Sequence, residues 1–95
     1  MSVSNQYNNL SPYAGEIMDL MERSLPFTTF HVWGRYVFMV TDIPDGNLML
    51  RHAWALVDDC ESVRIAYLKD EAGTAEFTTD EPAEAVVGML IAAME

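Results

Sequence analysis

The stretch from residue 53 to residue 69 restricts the fold more than any other part of the chain. An apolar run, residues 53–57, is followed by four polar residues and then by a run in which Val63, Ile65 and Tyr67 occupy every second position. Two β-rich runs around a short polar break predict a β-hairpin. We expect this hairpin to form the middle of an antiparallel sheet, with one helix before the sheet and one after it.

Helical patterns flank the predicted sheet at both ends. Ser11 followed by Pro12 is typical of a helix start, and this helix should end before Pro26, because the residue preceding a proline avoids helical backbone. Residues 80–82, Asp-Glu-Pro, predict the start of the second helix, where acidic side chains favour the positive end of the helix dipole. The side chains expected to face the sheet are Tyr13, Ile17, Leu20, Met21 and Ser24 in the first helix and Ala83, Val86, Val87, Leu90 and Met94 in the second.

Three further segments, 27–33, 36–40 and 74–78, are rich in β-branched and aromatic residues and are predicted to be strands. Gly34-Arg35, between the first two segments, suits a two-residue hairpin turn of type II′. The alternative is one long strand with a bulge at Gly34.

The segment 48–57 can be interpreted in two ways. A turn is predicted before it at residues 44–46, Pro-Asp-Gly, with the glycine in the left-handed conformation. Tight turns at both ends favour a strand, but a short apolar run also fits a buried helix. The predicted fold class is therefore α+β: an N-terminal helix, an antiparallel meander of about five strands and a C-terminal helix, with the helices packed on one face. Residues 1–10 are expected to be a flexible tail and residues 11–95 a single domain.

The composition excludes several kinds of partner. Fifteen acidic and five basic residues give a formal charge of −10, which disfavours direct binding to nucleic acids and to anionic membranes, because both need clustered Lys and Arg. A basic protein partner would be attracted instead. The sequence has neither a signal-peptide pattern nor an apolar run long enough to span a membrane. We therefore expect a cytoplasmic protein.

Motifs that carry chemistry are missing. The chain has no phosphate-binding loop, no nucleophile elbow and no paired metal-ligand motif. His31 and His52 lie in predicted strands among apolar residues, and the polar cluster 58–61 lacks the spacing of a zinc site or a calcium loop. We expect no enzymatic activity, no catalytic residues, no cofactor and no metal site.

The distribution of acidic residues is the one unusual feature of the composition. Residues 1–57 contain five acidic residues and three arginines, whereas residues 58–95 contain ten acidic residues and two basic ones. In a meander the 58–61 turn and the 78–81 junction fall at one end of the sheet and the 70–73 turn at the other, so the carboxylates would form an arc along one edge. The predicted partner-binding residues are Asp58, Asp59, Glu61, Asp70, Glu71, Glu76, Asp80, Glu81 and Glu84.

These observations lead to two hypotheses about function. The first is a small acidic inhibitor or nucleic-acid mimic that docks on the basic surface of a nucleic-acid-binding protein; phage anti-defence proteins often share this size, charge and lack of motifs, which is an analogy of composition. The second is a dimeric, chaperone-like or structural adaptor that binds an apolar segment of a client protein. Salt-sensitive binding would favour the first hypothesis and salt-insensitive binding the second.

Overall fold

The computed structural model describes residues 9–68 and 74–94 and has the predicted α+β architecture. The strands form one antiparallel sheet in the order β1-β2-β3-β4-β5, a meander. The elements are α1 Pro12–Ser24, β1 Thr28–Trp33, β2 Tyr36–Asp45, β3 Leu48–Asp58, β4 Val63–Leu68, β5 Thr74–Thr79 and α2 Ala83–Ala93. Most of the predicted tail (residues 1–8) and the predicted turn at 70–73 lie outside the described residues.

The ambiguous segment is a strand, and it is the centre of the sheet. In β3, Trp54 lies opposite Met39 of β2 on one side and opposite Tyr67 of β4 on the other. The predicted hairpin is confirmed: the backbone N–H of Asp59 donates to the carbonyl oxygen of Ser62 at 3.0 Å and closes the β3–β4 turn. A strand with neighbours on both edges satisfies its backbone groups in the ladder and leaves apolar side chains on both faces of the sheet.

Glycines at positive φ close the other two described hairpins. Gly34 has φ +59° in the turn between β1 and β2, which confirms the hairpin over the bulged strand. Gly46 has φ +64° as predicted, but the turn comes later than expected, because Pro44 and Asp45 still belong to β2. Pro44 lies two positions from the turn, where its missing N–H faces away from β3, so proline does not interrupt this strand pairing.

Both helices pack on the same face of the sheet, as predicted. Helix α1 begins at the predicted position, with the Ser11 side chain accepting a hydrogen bond from the N–H of Ala14 at 3.2 Å. Its buried face is shifted from the predicted one: Met18 is buried and Ser24 is exposed. The buried hydrophobic core consists of Ala14, Ile17, Met18 and Met21 from α1, Val37, Met39, Trp54, Leu56, Val63 and Ile65 from the sheet, and Ala83, Val86, Val87 and Leu90 from α2.

Candidate protein-binding surface

Several connections of the chain meet at one end of the sheet, which we call the acid end and define as residues 34–35, 58–62 and 79–84. The N–H of Asp58 donates to the carbonyl oxygen of Arg35 at 2.9 Å, which joins two hairpin turns. Val63 lies opposite Thr79, so the β5–α2 junction is beside them. The sequence predicted that the 58–61 turn and the 78–81 junction would share one end, and the meander confirms it.

Asp58, one of the predicted binding residues, is used inside the fold. Its side chain is buried, with the residue 1% exposed. The carboxylate accepts hydrogen bonds from the backbone N–H of Ser11 at 2.6 Å, from the Ser11 hydroxyl at 2.7 Å and from the N–H of Cys60 at 2.9 Å. Asp58 therefore anchors the start of α1 to the β3–β4 turn, and it has no exposed carboxylate to offer a partner.

The other predicted acidic residues of this end are accessible. Asp59 forms an ion pair with Arg64 at 3.3 Å, and both side chains are about half exposed, so this pair adds little stability. The remaining exposed carboxylates of the acid end belong to Glu61, Asp80, Glu81 and Glu84. Glu76 lies apart from them in the middle of β5, opposite Ala66, and Asp70 and Glu71 are outside the described residues.

Tyr13 connects the two helix starts at the acid end. Its hydroxyl donates to the carbonyl oxygen of Glu81, so the first turn of α1 lies beside the start of α2. Burial and the nearby carboxylate of Asp80 raise the pKa of the Tyr13 phenol above its usual value, because both disfavour the phenolate. The acid end thus combines two helix N-termini with exposed carboxylates, an arrangement that the helix dipoles stabilise.

The second notable surface is the sheet face opposite the helices, which we call the open face. On β2 it carries Tyr36, Phe38 and Val40, which alternate with buried Val37 and Met39. Its other central positions are Ala53, Ala55 and Val57 on β3 and Arg64 and Ala66 on β4, and its outer positions are Thr29, His31 and Trp33 on β1 and Glu76 and Thr78 on β5. Among the described residues, no helix or strand packs on this face.

The open face is large enough to act as a binding surface. The whole face, five strands wide and six residues long, covers roughly 500 Å², and its centre on β2, β3 and β4 is apolar apart from Arg64. Contiguous exposed apolar patches of this kind often mark interaction sites. A shallow depression of about 120 Å³ lies over its β3–β5 half, where the small side chains of Ala55 and Ala66 leave room between Arg64 and Glu76.

The largest exposed aromatic side chains of the open face lie at the acid end. Trp33 is 66% exposed and Tyr36 is 60% exposed, and the two residues face each other across the first hairpin. The His31 ring stacks on Trp33, with ring centroids 6.2 Å apart. His52, in contrast, lies on the helix side, 2.6 Å from the Tyr67 hydroxyl. An aromatic cluster therefore lies at the same end of the sheet as the exposed carboxylates, with the exposed Arg35 in the turn between Trp33 and Tyr36.

The open face was not predicted, although the sequence contains a signal for it. Residues 36–40 and 53–57 are uninterrupted apolar runs. Strands that read as continuous apolar runs are typical of sheets covered on both faces, whereas a sheet with one solvated face alternates. The central strands thus have the composition of a sheet that is covered on both faces, whereas the described helices cover only one face.

The described part of the chain holds no group of three or more His, Cys, Asp or Glu side chains placed to bind a metal ion. Neither of its helices is long and apolar enough to cross a membrane. Comparison of the chain with protein-family models, with curated proteins and with solved structures found no match in any of the three.

Proposed function

We propose that the protein functions by binding another protein through the open face together with the acid end. The observation that carries this proposal is a sheet face with an apolar centre whose exposed aromatic residues, Trp33 and Tyr36, lie at the same end of the sheet as a group of carboxylates. Burial of apolar area contributes about 25 cal/mol per Å², and Trp and Tyr are common among the residues that dominate binding energy. The carboxylates add steering and selectivity for a basic partner.

The partner that fits this surface has an apolar or aromatic centre and a basic rim. Proteins that bind single-stranded nucleic acid have such surfaces, because aromatic side chains stack on bases while Lys and Arg contact phosphates. In this proposal the aromatic cluster takes the place of bases, and the carboxylates of Asp59, Glu61 and Asp80 take the place of phosphates. The protein would then act as an inhibitor or decoy that occupies the nucleic-acid site, in the manner of phage anti-defence proteins.

A second candidate is the adaptor that binds an apolar segment of a client protein. The hairpin of β2 and β3 favours it, because this hairpin extends beyond the pairing with β1 and β4 and exposes Leu48, Met49 and Leu50. Binding of this kind would rest on apolar contacts alone, so it would be insensitive to salt.

A pull-down from a nuclease-treated lysate of the source cells tests both candidates when it is made with matched variants. The aromatic variant is Trp33→Ser with Tyr36→Ser, and the acidic variant is Glu61→Lys with Glu81→Lys. We expect a basic nucleic-acid-binding protein that elutes with salt and that both variants retain poorly. The adaptor predicts a client that survives high salt, that both variants retain, and that is lost when Leu48 and Leu50 are replaced by serine.

Two control variants change the charge and the exposed apolar area at places away from the proposed binding surface. Glu16→Lys with Glu22→Lys makes the same charge change on the exposed side of α1, and Met89→Ser removes an exposed apolar side chain from α2. Both controls should retain the partner as the unmodified protein does. If the aromatic variant also retains it fully, the open face is not the binding surface.

A further inference from the structure

The edge of β1 is the second surface of the molecule that is suited to an interaction. β1 pairs with β2 on one side only, and among residues 9–68 and 74–94 no strand pairs with its other edge. We propose that a second copy of this chain pairs antiparallel with β1 along this edge and forms a continuous ten-stranded sheet. This proposal is independent of the proposed function, because it leaves the open face uncovered.

The hairpin geometry determines which backbone groups face the free edge. Trp33 and Tyr36 flank the two-residue turn, so their backbone groups hydrogen-bond to each other. In β1, every second residue before Trp33 then also forms backbone hydrogen bonds to β2. The N–H of Asp42 donates to the carbonyl oxygen of Phe27, which continues the same pattern. The backbone N–H and C=O groups of Thr28, Phe30 and Val32 therefore point outwards, and they form a template for a further strand.

The other exposed edges of the sheet carry features that discourage strand addition, and β1 does not. β5 has the exposed Glu76 in its middle. The projecting part of the β2–β3 hairpin has Pro44 on one edge and an ion pair between Arg51 and Asp42, at 2.9 Å. β1, Thr-Thr-Phe-His-Val-Trp, has no proline, lysine or acidic residue, and its register with β2 is continuous. Natural edge strands without such features tend to pair.

The charge distribution permits a second copy as the source of the added strand. Each copy has a formal charge of −10, yet residues 23–41 contain no Asp or Glu and include two of the five basic residues. A second acidic chain can approach this segment with the least repulsion. Antiparallel pairing about a two-fold axis places the two acid ends at opposite ends of the strands, about 20 Å apart, which exceeds the screening length of about 8 Å at physiological salt.

Sedimentation equilibrium under reducing conditions tests the proposal with two matched variants. Thr29→Lys and Thr78→Lys both replace an exposed threonine of the open face, the first on β1 and the second on the opposite edge strand. We expect a concentration-dependent dimer whose dissociation constant rises about tenfold or more (a change of ~1.4 kcal/mol) in Thr29→Lys, and which Thr78→Lys leaves unchanged. Each added lysine makes the net charge less negative, so weaker nonspecific repulsion between copies would lower the dissociation constant in both variants.

Amide hydrogen exchange gives a second readout that needs no substitution. The outward N–H groups of Thr28, Phe30 and Val32 should exchange about tenfold more slowly at protein concentrations where the dimer is populated than in the monomer. A monomer at every accessible concentration overturns the proposal, as does a dimer in which these three amides remain unprotected or in which Thr78→Lys weakens association as strongly as Thr29→Lys.

Discussion

At the residue scale, the acidic turn separates into one structural carboxylate and its accessible neighbours. Asp58 and Asp59 are adjacent in sequence, but Asp58 receives three hydrogen bonds within the fold while Asp59 lies at the surface. In an antiparallel strand neighbouring side chains point to opposite faces, so one of the two is directed towards the helices. The sequence predicted the polar turn; it could not identify which carboxylate is buried, because that depends on Ser11, which is remote in sequence.

Replacing Asp58 should therefore destabilise the fold. Asp58→Ala removes the buried carboxylate that accepts three hydrogen bonds from Ser11 and Cys60, and we expect the free energy of unfolding to fall by about 2–4 kcal/mol. Asp59→Ala breaks an exposed ion pair and should cost less than about 1 kcal/mol. Urea denaturation of both variants makes the comparison, and equal losses would show that Asp58 does not anchor α1.

Tyr13 predicts a dependence of stability on alkaline pH. Its pKa is raised in the folded protein, so the folded state favours the neutral phenol. Below the usual tyrosine pKa of about 10 both states are protonated, and the contribution is constant. As the pH rises above this value the unfolded chain ionises first, so the free energy of unfolding falls. The free energy of unfolding of Tyr13→Phe, measured by urea denaturation at increasing pH, should fall less steeply above this pH than that of the unmodified protein. An identical fall in both proteins would contradict this role of Tyr13.

At the element scale, local turn chemistry and helix capping determined most of what was predictable. Ser11-Pro12 correctly predicted the start of α1, and Gly34 correctly predicted the first hairpin. The turn after β2 was misplaced, because Pro44 pairs opposite Met49 within the strand. The choice between helix and strand for 48–57 needed the neighbours β2 and β4, since an isolated apolar run fits either structure.

The β3–β4 turn contains a position that glycine should improve. Cys60 adopts φ +73°, the left-handed region that side chains with a Cβ rarely occupy. Cys60→Gly removes this strain and keeps the N–H that donates to Asp58, so we expect a gain of about 0.5–1 kcal/mol in the free energy of unfolding. Cys60→Ala retains the Cβ and should show no such gain. Thermal or urea denaturation distinguishes them, and equal stabilities would argue against strain at this turn.

At the scale of the whole molecule, the predicted fold class is confirmed, whereas the proposed binding surface differs from the one predicted. The sequence indicated an arc of carboxylates along one edge. Of its exposed members that the structure describes, Asp59, Glu61, Asp80, Glu81 and Glu84 lie at one end and Glu76 lies in the middle of β5, while Asp70 and Glu71 are outside the described residues. Acidic residues can be counted directly from a sequence, so a charged surface is predicted before the fold is known. The open face is formed by alternate residues of all five strands, so it becomes visible only when the strand register is known.

The open face also changes how the charge is interpreted. Carboxylates at helix N-termini stabilise the fold by themselves, so an acidic end does not require a partner. The uncovered apolar centre of the open face has no comparable structural role, since exposed apolar area contributes nothing to the stability of a monomer. The apolar face, and not the charge, is therefore the stronger reason to propose that this protein binds another protein.

Site-specific photocrosslinking in the source cells tests this proposal most directly. A photoreactive phenylalanine analogue placed at Tyr36, on the open face, should form a covalent adduct with a partner protein, whereas the same analogue at Met89, on the exposed side of α2, should not. Both residues are exposed, Tyr36 to 60% and Met89 to 42%. An adduct at Tyr36 alone would support the open face as the binding surface. Adducts at Met89 but none at Tyr36 would contradict it.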